Sequence, residues 1–457
     1  MFFFAIKYKY LRVEIIIIII LIISSTVIIF SRFDSLDNQK VKALIEEKSE
    51  INLIGELKSD LKLRTSKNPF TKQDKWEVVA KTKTIATSEN SWQVEIPVVL
   101  VFLYEPTNIE YGTKVQVTGK ISSSYRPDRA FVMQVSEYQE LATANKFYGY
   151  INIFRENFSL KASSINYSAA GLIPGLVSGD TRLQSDEFTE AMRKCGLTHL
   201  TAVSGGNTAI LLAVFIWFFQ VVRFRRKSIF FFSVVLLIIF LILVRFEPSA
   251  MRATVMGLIG IWALTYGGPR TSFGALNFSI LFLLLIDPFL SINWAFILSV
   301  AATAGLILLA PQFQKIWVSH LPRTPKLFVF LITLTFSAQL VTYPILGFMV
   351  GEISLISLLA NTLAMPTVAW VTVFGFLTLI FATVYAPFAS FFIYLALPAA
   401  IWIEWVAETF AKVPFAQVTF SPLIFFVVIS AIAIGVLYKT KHHNKIKNLR
   451  ERQGIER

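Results

Sequence analysis

The sequence predicts a polytopic α-helical membrane protein of about ten spans, some of them re-entrant, with an extracytoplasmic all-β, OB-like domain near its amino terminus. Three observations carry this prediction. Of 457 residues, 55% are hydrophobic and only 16% are charged. The mean hydropathy is +0.61, and a soluble chain of this length would carry far more charge. Long apolar runs recur over the second half, whereas residues 31 to 145 have ordinary polarity and a period-two pattern.

The first element is a membrane anchor, residues 1–30. Lys7, Lys9 and Arg12 precede an apolar run from Val13 to Phe30. No small-x-small cleavage site follows, so the run reads as a retained signal anchor. Residues 31–146 form the β domain. INLIGEL, KWEVVAKTKTIATS, WQVEIPVVLVFLYE, GTKVQVTGKIS and AFVMQVSEY suggest five strands, a number that suits a small OB-like barrel. In the fourth run Lys114, Gln116, Thr118 and Lys120 alternate with Val115, Val117 and Ile121, and Gly119 allows a bend. From Glu46 to Lys146 there are 14 Lys/Arg and 14 Asp/Glu, so no basic groove shows in the sum. Trp76, Trp92, Tyr104, Tyr111 and Tyr125 are candidates for stacking on bases, with a place in the core as the alternative.

Residues 147–196 read as interfacial or amphipathic linker helices. Phe147, Tyr148, Tyr150, Ile151, Phe154 and Phe158 mix with Arg155, Glu156 and Lys161. Ser185 suits an N-cap for a helix over 186–195. The polytopic domain occupies residues 197–438. Nine apolar spans lie at roughly 198–222, 229–245, 249–266, 273–287, 291–310, 327–349, 354–382, 388–406 and 421–438. Several are shorter than the ~20 residues a crossing needs and read as tilted, re-entrant or partial. With the amino terminus inside, RFRRK at 223–227, the Arg270 turn, the Lys315–Arg323–Lys326 loop and the tail all fall on the cytoplasmic side. That basic cytoplasmic tail, residues 439–457, has seven Lys/Arg against two Glu. Both termini are therefore expected in the cytoplasm. The same rule accounts for much of the net charge of +14, which makes it weak evidence for nucleic acid.

Several chemistries have no support in the sequence. The single cysteine, Cys195, excludes an intrachain disulfide. The histidines are His199, His320, His442 and His443, with no metal-ligand spacing and no phosphate-binding loop among the motifs. No metal, cofactor or enzymatic activity is expected, and the chain is not expected to drive transport with nucleotide itself.

The most informative stretch is EAMRKCGLTHLTAVSGGNTAILLAVFIW, residues 190 to 217. It places His199, Ser204, Gly205 and Asn207 where a polar segment runs into an apolar helix. Such a segment is tolerable only if it is buried in protein or lines water. On a helix Ser204, Asn207 and Thr208 share a face. The alternative is that His199 and Ser204 cap or cross-bond neighbouring helices while the glycines pack. Upstream, Gly179, Asp180 and Arg182 form a turn. Downstream, Pro248 suits the first turn of a helix, and Arg252 follows one turn inside an apolar span. A charge at mid-bilayer costs on the order of 3 kcal/mol, so Arg252 must pair, snorkel or face water, and no acid lies in the spans nearest in sequence. Ser299, Gln339 and Asn361 are further polar residues in apolar spans, and Pro344 and Pro366 suggest kinks.

These motifs, in this order, resemble the ComEC-type competence family. The pattern Gly-Leu-x-His-Leu-Leu-Ala-Val-Ser-Gly-Leu-His is matched by Gly196, Leu197, His199, Leu200, Ala202, Val203, Ser204 and Gly205, with Asn207 in place of the second histidine. Gly179, Asp180 and Arg182 match a Leu-Gly-Asp-Arg-type segment. Pro248, Ser249, Ala250, Arg252 and Ala253 match a Pro-Ala-x-Arg-Ala element, and Phe296, Leu298, Ser299, Ala302, Thr303 and Gly305 match a third block. The resemblance covers residues 50 to 438. It implies a channel domain that passes single-stranded DNA across the bacterial plasma membrane during natural transformation. It further implies membrane lipid, a separate nuclease, a DNA receptor and a cytoplasmic motor ATPase as partners, and it allows a homodimer. The family's C-terminal metallo-β-lactamase-like domain has no counterpart here, so nuclease activity is expected from another protein. The competing classes are a small-solute or ion transporter and a membrane scaffold with an external sensory or binding domain.

Overall fold

The computed structural model describes residues 39–46, 50–64, 75–87, 91–107, 109–124, 129–267, 271–320, 323–413 and 416–419. The expected anchor 1–30, Tyr125, Arg270, the span 421–438 and the tail 439–457 with His442 and His443 lie outside the described residues.

A short helix, α1 (Gln39–Glu46), precedes a β-barrel. Its strands are β1 (Glu50–Leu57), β2 (Lys62–Arg64), β3 (Lys75–Ala86), β4 (Ser91–Gln93), β5 (Pro97–Phe102), β6 (Lys114–Ser123) and β7 (Phe131–Ala142). β1 pairs antiparallel with both β3 and β6, β3 with β5, and β6 with β7. The parallel pair β5–β7 closes the circuit β1-β3-β5-β7-β6-β1. β2 and β4 add to β3. The alternation read in the sequence is the inside–outside alternation of these strands. Ile51, Leu53, Leu57, Val78, Ala80, Val115, Val117 and Ile121 fill the interior. The register shifts at Thr118/Gly119, where the sequence suggested a bend.

The first helix after the barrel, α2 (Lys146–Ser163), is polar on its inner face. Asn152, Arg155, Phe158, Ser159 and Ala162 are buried, whereas Phe147, Tyr150, Ile153 and Leu160 are exposed. The apolar residues of this amphipathic helix face outward, and the polar residues find partners inside. The remaining helices are α3 (Leu172–Ser178), α4 (Asp186–Lys194), α5 (Gly205–Val221), α6 (Arg226–Leu243), α7 (Pro248–Tyr266), α8 (Ser272–Ile286), α9 (Trp294–Leu308), α10 (Ala310–His320), α11 (Lys326–Val350), α12 (Ser357–Val384) and α13 (Ala386–Ala411). Strand β8 (Glu352–Ser354) pairs with β9 (Gln417–Thr419).

Local signals explain several of these boundaries. Ser185 caps α4 by accepting the Phe188 N–H, and Pro248 opens α7 at its first turn. α11 and α12 continue through Pro344 and Pro366. The central core joins α3 and α4 to α12 and α13 through Leu172, Ile173, Leu176, Phe188 and Met192 against Ala360, Ala364, Ala396, Ala400 and Ala407. Small residues on α12 and α13 let the helices approach closely, which is how helices associate where lipid offers no hydrophobic drive.

Of the ten expected spans, the first and the last lie outside the described residues. Among the described residues α6, α11, α12 and α13 are long and apolar enough to cross a membrane. α9 and α10 make a fifth if their 49° bend lies within one span. α5 and α8, with 17 and 15 residues, fall short of a 30 Å crossing at 1.5 Å per residue. α7 is diluted by Pro248, Ser249 and Arg252 at its start. Exposed Trp217, Phe231, Trp262, Phe348, Trp370 and Trp405 show that apolar side chains cover the outside of the helical part, as expected of a membrane protein.

Candidate functional site

The start of α5 gathers the residues singled out in the sequence. Ser204 is the N-cap: its backbone is extended and its Oγ accepts the Asn207 N–H at 3.3 Å. Asn207 is buried, and its Nδ2 donates to the Leu176 carbonyl at 2.8 Å, which ties α5 to α3. Its Oδ1 and the Thr208 Oγ1 are buried without a partner among the described residues. The shared face read in the sequence is thus split, with Ser204 as cap and Asn207 and Thr208 turned inward. His199 sits in the turn Thr198–Leu200 with an exposed side chain. It has no hydrogen-bond partner among the described residues, so the capping or cross-bonding reading holds for Ser204 and not for His199.

Arg252 and Ser299 meet beside this cap. Arg252 is only 5% exposed. Its Nε donates to Ser299 Oγ at 3.0 Å, and its Nη1 approaches Met256 Sδ at 3.1 Å. A Cβ at Gly205 would lie 2.8 Å from Arg252 Nη2 and 3.2 Å from the Ser249 carbonyl oxygen. Glycine is therefore what lets α7 and its arginine lie against α5. Among the described residues no carboxylate pairs with Arg252, and snorkelling does not describe so buried a guanidinium.

Gln339 and Asn361 belong to a second cluster. Gln339 Nε2 donates to Ser357 Oγ at 2.9 Å, and Tyr343 Oη bonds Ser357 and the Ser354 carbonyl. Asn361 Nδ2 donates to the Ser357 carbonyl at 2.8 Å and the Gly196 carbonyl at 3.3 Å. This joins α11 and α12 to the turn after α4. Arg193, paired with Glu190 and Glu352, holds the same turn against β8.

Gly179, Asp180 and Arg182 form a third. Gly179 is the left-handed C-cap of α3, at φ 77°. Asp180 is 1% exposed; it accepts from Ser159 Oγ at 2.7 Å and from the Arg182 guanidinium at 2.7 to 3.2 Å. Burial alone would raise its pKa, but the hydrogen bonds and charge of Arg182 win and hold it down at about 2. The folded value lies below the ordinary 3.8, so this stabilisation is complete above that value and is lost as pH falls toward about 2. Asp180→Ala should lower stability by about 2 kcal/mol, since Arg182 is partly exposed and can turn to water. A thermal midpoint unchanged at neutral pH would sink the claim that the pair holds this turn.

A fourth arrangement was not legible in the sequence. Asp60, in the barrel loop after β1, takes Arg155 on one carboxylate oxygen at 2.7 Å and Arg245 on the other. Arg155 also donates to the carbonyls of Ser178 and Leu243. Arg245 donates to Asn152 Oδ1 at 3.0 Å and lies 4.6 Å over the Tyr111 ring. Asn152 Nδ2 reaches Glu110 and the Tyr111 carbonyl. The network fastens the barrel to α2, α3 and α6. Its one sequence signal was Arg155 and Asn152 three residues apart among aromatics.

The stacking candidates divide accordingly. Tyr111 is 6% exposed and held in this clasp, where burial pushes its phenol up to about 12. It is corrected to a structural residue. Trp76 and Trp92 pack against the barrel core, whereas Tyr104 is exposed. Among the described residues no three His, Cys, Asp or Glu side chains group to hold a metal ion.

The first three clusters fall on a recognisable stretch of sequence. The family model "Competence protein" matches residues 176–442, more than half of the chain. ComE operon protein 3 of Bacillus subtilis (strain 168) is 25% identical over 277 residues, which cover 56% of this chain and 34% of that protein. The chain thus matches about a third of the length of that relative. No solved structure matches the chain significantly. On the family match, the chain belongs to the competence protein family.

Proposed function

We propose that this protein passes single-stranded DNA across the bacterial plasma membrane during natural transformation. The observation that carries this is the coincidence of the competence-family match with the helical domain that buries Arg252, Asn207 and Asn361. Polar groups buried among apolar helices mark transport paths more often than lipid contacts. The β1-β3-β5-β7-β6 circuit, with its parallel β5–β7 pair, supports an OB-like reading of the barrel, in which exposed Tyr104 offers a stacking face. The basic segment at 223–227 supports a cytoplasmic end for α5, in keeping with the reading in which the barrel lies outside and both termini inside. In this reading the chain is a conduit with no chemistry of its own. A nuclease, a DNA receptor and a motor ATPase act beside it, and two copies can assemble.

The test is deletion in a naturally transformable host. Transformation should fall to background while DNA still binds the cell surface in a nuclease-sensitive form. Entry of labelled DNA into the cytoplasm at normal levels without this protein would overturn the proposal.

A further inference from the structure

We propose that Arg252, Ser299 and the first turn of α5 form a binding site for a single phosphate-type oxyanion, filled during transport by a phosphodiester group of the strand. The identity of the strand rests on the function proposed above; the oxyanion site does not.

A guanidinium stays protonated in proteins, and burying one without a carboxylate is unfavourable. Arg252 is buried, and its partners are a hydroxyl and a thioether, both neutral and the latter a weak acceptor. Its Nη2 makes no hydrogen bond among the described residues and points at the notch left by Gly205. The notch is itself positive. α5 is 17 residues long, and its amino-terminal N–H groups carry the positive end of the helix dipole. Ser204 satisfies only the Asn207 N–H, which leaves the N–H groups of Gly205 and Gly206 without intrahelical acceptors. A guanidinium and a helix amino terminus repel each other when nothing lies between them. Both are met by one oxyanion: the free Nη2 edge supplies charge-assisted donors, and the helix terminus supplies backbone N–H groups. Ser299, hydrogen-bonded to Nε on the same edge as Nη2, fixes the guanidinium plane. The notch at Gly205 is filled by the guanidinium, but the next residue of the turn, Gly206, is exposed and has open space beside it, so a ligand reaches the helix terminus from the Gly206 side. On the same turn the Thr208 hydroxyl is buried without a partner among the described residues.

The experiment uses the full chain purified in detergent and stripped of lipid. Its thermal midpoint is followed while inorganic phosphate replaces chloride at constant ionic strength, and again with oligothymidylate. Wild type should be stabilised by both, saturably. Arg252→Ala should weaken binding about tenfold or more, the expected loss of a charge-assisted hydrogen bond. Arg252→Lys should recover part, as a point charge without the fork. Ser299→Ala keeps the charge and loses its anchor, so it should weaken binding by a smaller factor; it also serves should Arg252→Ala fail to fold. Equal phosphate affinity in wild type, Arg252→Ala and Ser299→Ala would overturn the site. If phosphatidylglycerol competes with phosphate but oligothymidylate does not, the ligand is a lipid headgroup and the assignment to DNA falls. If phosphate binding depends on Arg252 and deletion nonetheless leaves DNA uptake normal, the proposed function fails while the oxyanion site stands.

Discussion

Asp60→Ala should cost this protein about 3–5 kcal/mol, the loss seen when one member of a buried ion pair is removed and its partner stays charged. Two arginines are stranded by this one substitution. Their side chains are 3% and 11% exposed, and each takes its own oxygen of the Asp60 carboxylate. Arg155 keeps the carbonyls of Ser178 and Leu243, and Arg245 keeps Asn152 and the Tyr111 ring. Those contacts satisfy donors without cancelling charge. The barrel has its own apolar interior and should stay folded, so the damage should appear as detachment from the helices. The measurement is limited proteolysis across residues 143–145, between β7 and α2, together with the thermal midpoint of the purified chain. Asp60→Asn preserves an acceptor for one arginine and should fall between wild type and alanine. Cleavage and midpoint indistinguishable from wild type in Asp60→Ala would show that the clasp does not hold the two parts together.

How far the sequence could see is clearest from individual elements. Strand β6 was legible because Val115, Val117 and Ile121 alternate with polar residues, and a period of two has one structural meaning when one face is buried. Strands β2 and β4 were not, because three residues carry no period. The caps at Ser185 and Pro248 were legible because capping is local chemistry. α2 was legible as amphipathic, but which face turns inward was not. The pattern says that two faces differ, and whether the outside is water or lipid decides which turns inward. The candidate site shows the same boundary. Each of Ser204, Gly205, Arg252 and Ser299 stood out alone, yet Arg252 and Ser299 are 47 positions apart, and only the fold brings them together. The clasp lay beyond reach altogether: Asp60 and Arg245 are 185 positions apart, on segments with no shared pattern.

Gly196→Ala should be nearly as damaging as loss of the clasp, for two separable reasons. Gly196 has φ 74°, in the left-handed region, where a Cβ costs roughly 1–2 kcal/mol against the following carbonyl. The same Cβ would overlap Ser357 Cβ on α12, and it would lie 3.2 Å from Ser354 Cβ and 3.3 Å from Ser357 Oγ. Overpacking of that kind typically costs about 1–3 kcal/mol more. The strain lands on a junction, because the Gly196 carbonyl accepts from Asn361 and Ser357 is held by Gln339 and Tyr343. Moving α12 away to admit a methyl group therefore disturbs α11 as well. Ser357→Gly removes the overlapped atom, at the cost of its own bonds to Gln339 and Tyr343, and leaves the backbone strain, so Gly196→Ala should cost roughly half as much in the Ser357→Gly background as in wild type. Thermal midpoints of the two single variants and the double variant, measured in one detergent, decide the matter. A Gly196→Ala cost that is the same in wild type and in Ser357→Gly would mean that the left-handed backbone alone fixes glycine here, and a Gly196→Ala midpoint equal to wild type would mean that the turn after α4 does not rest on α12 at all.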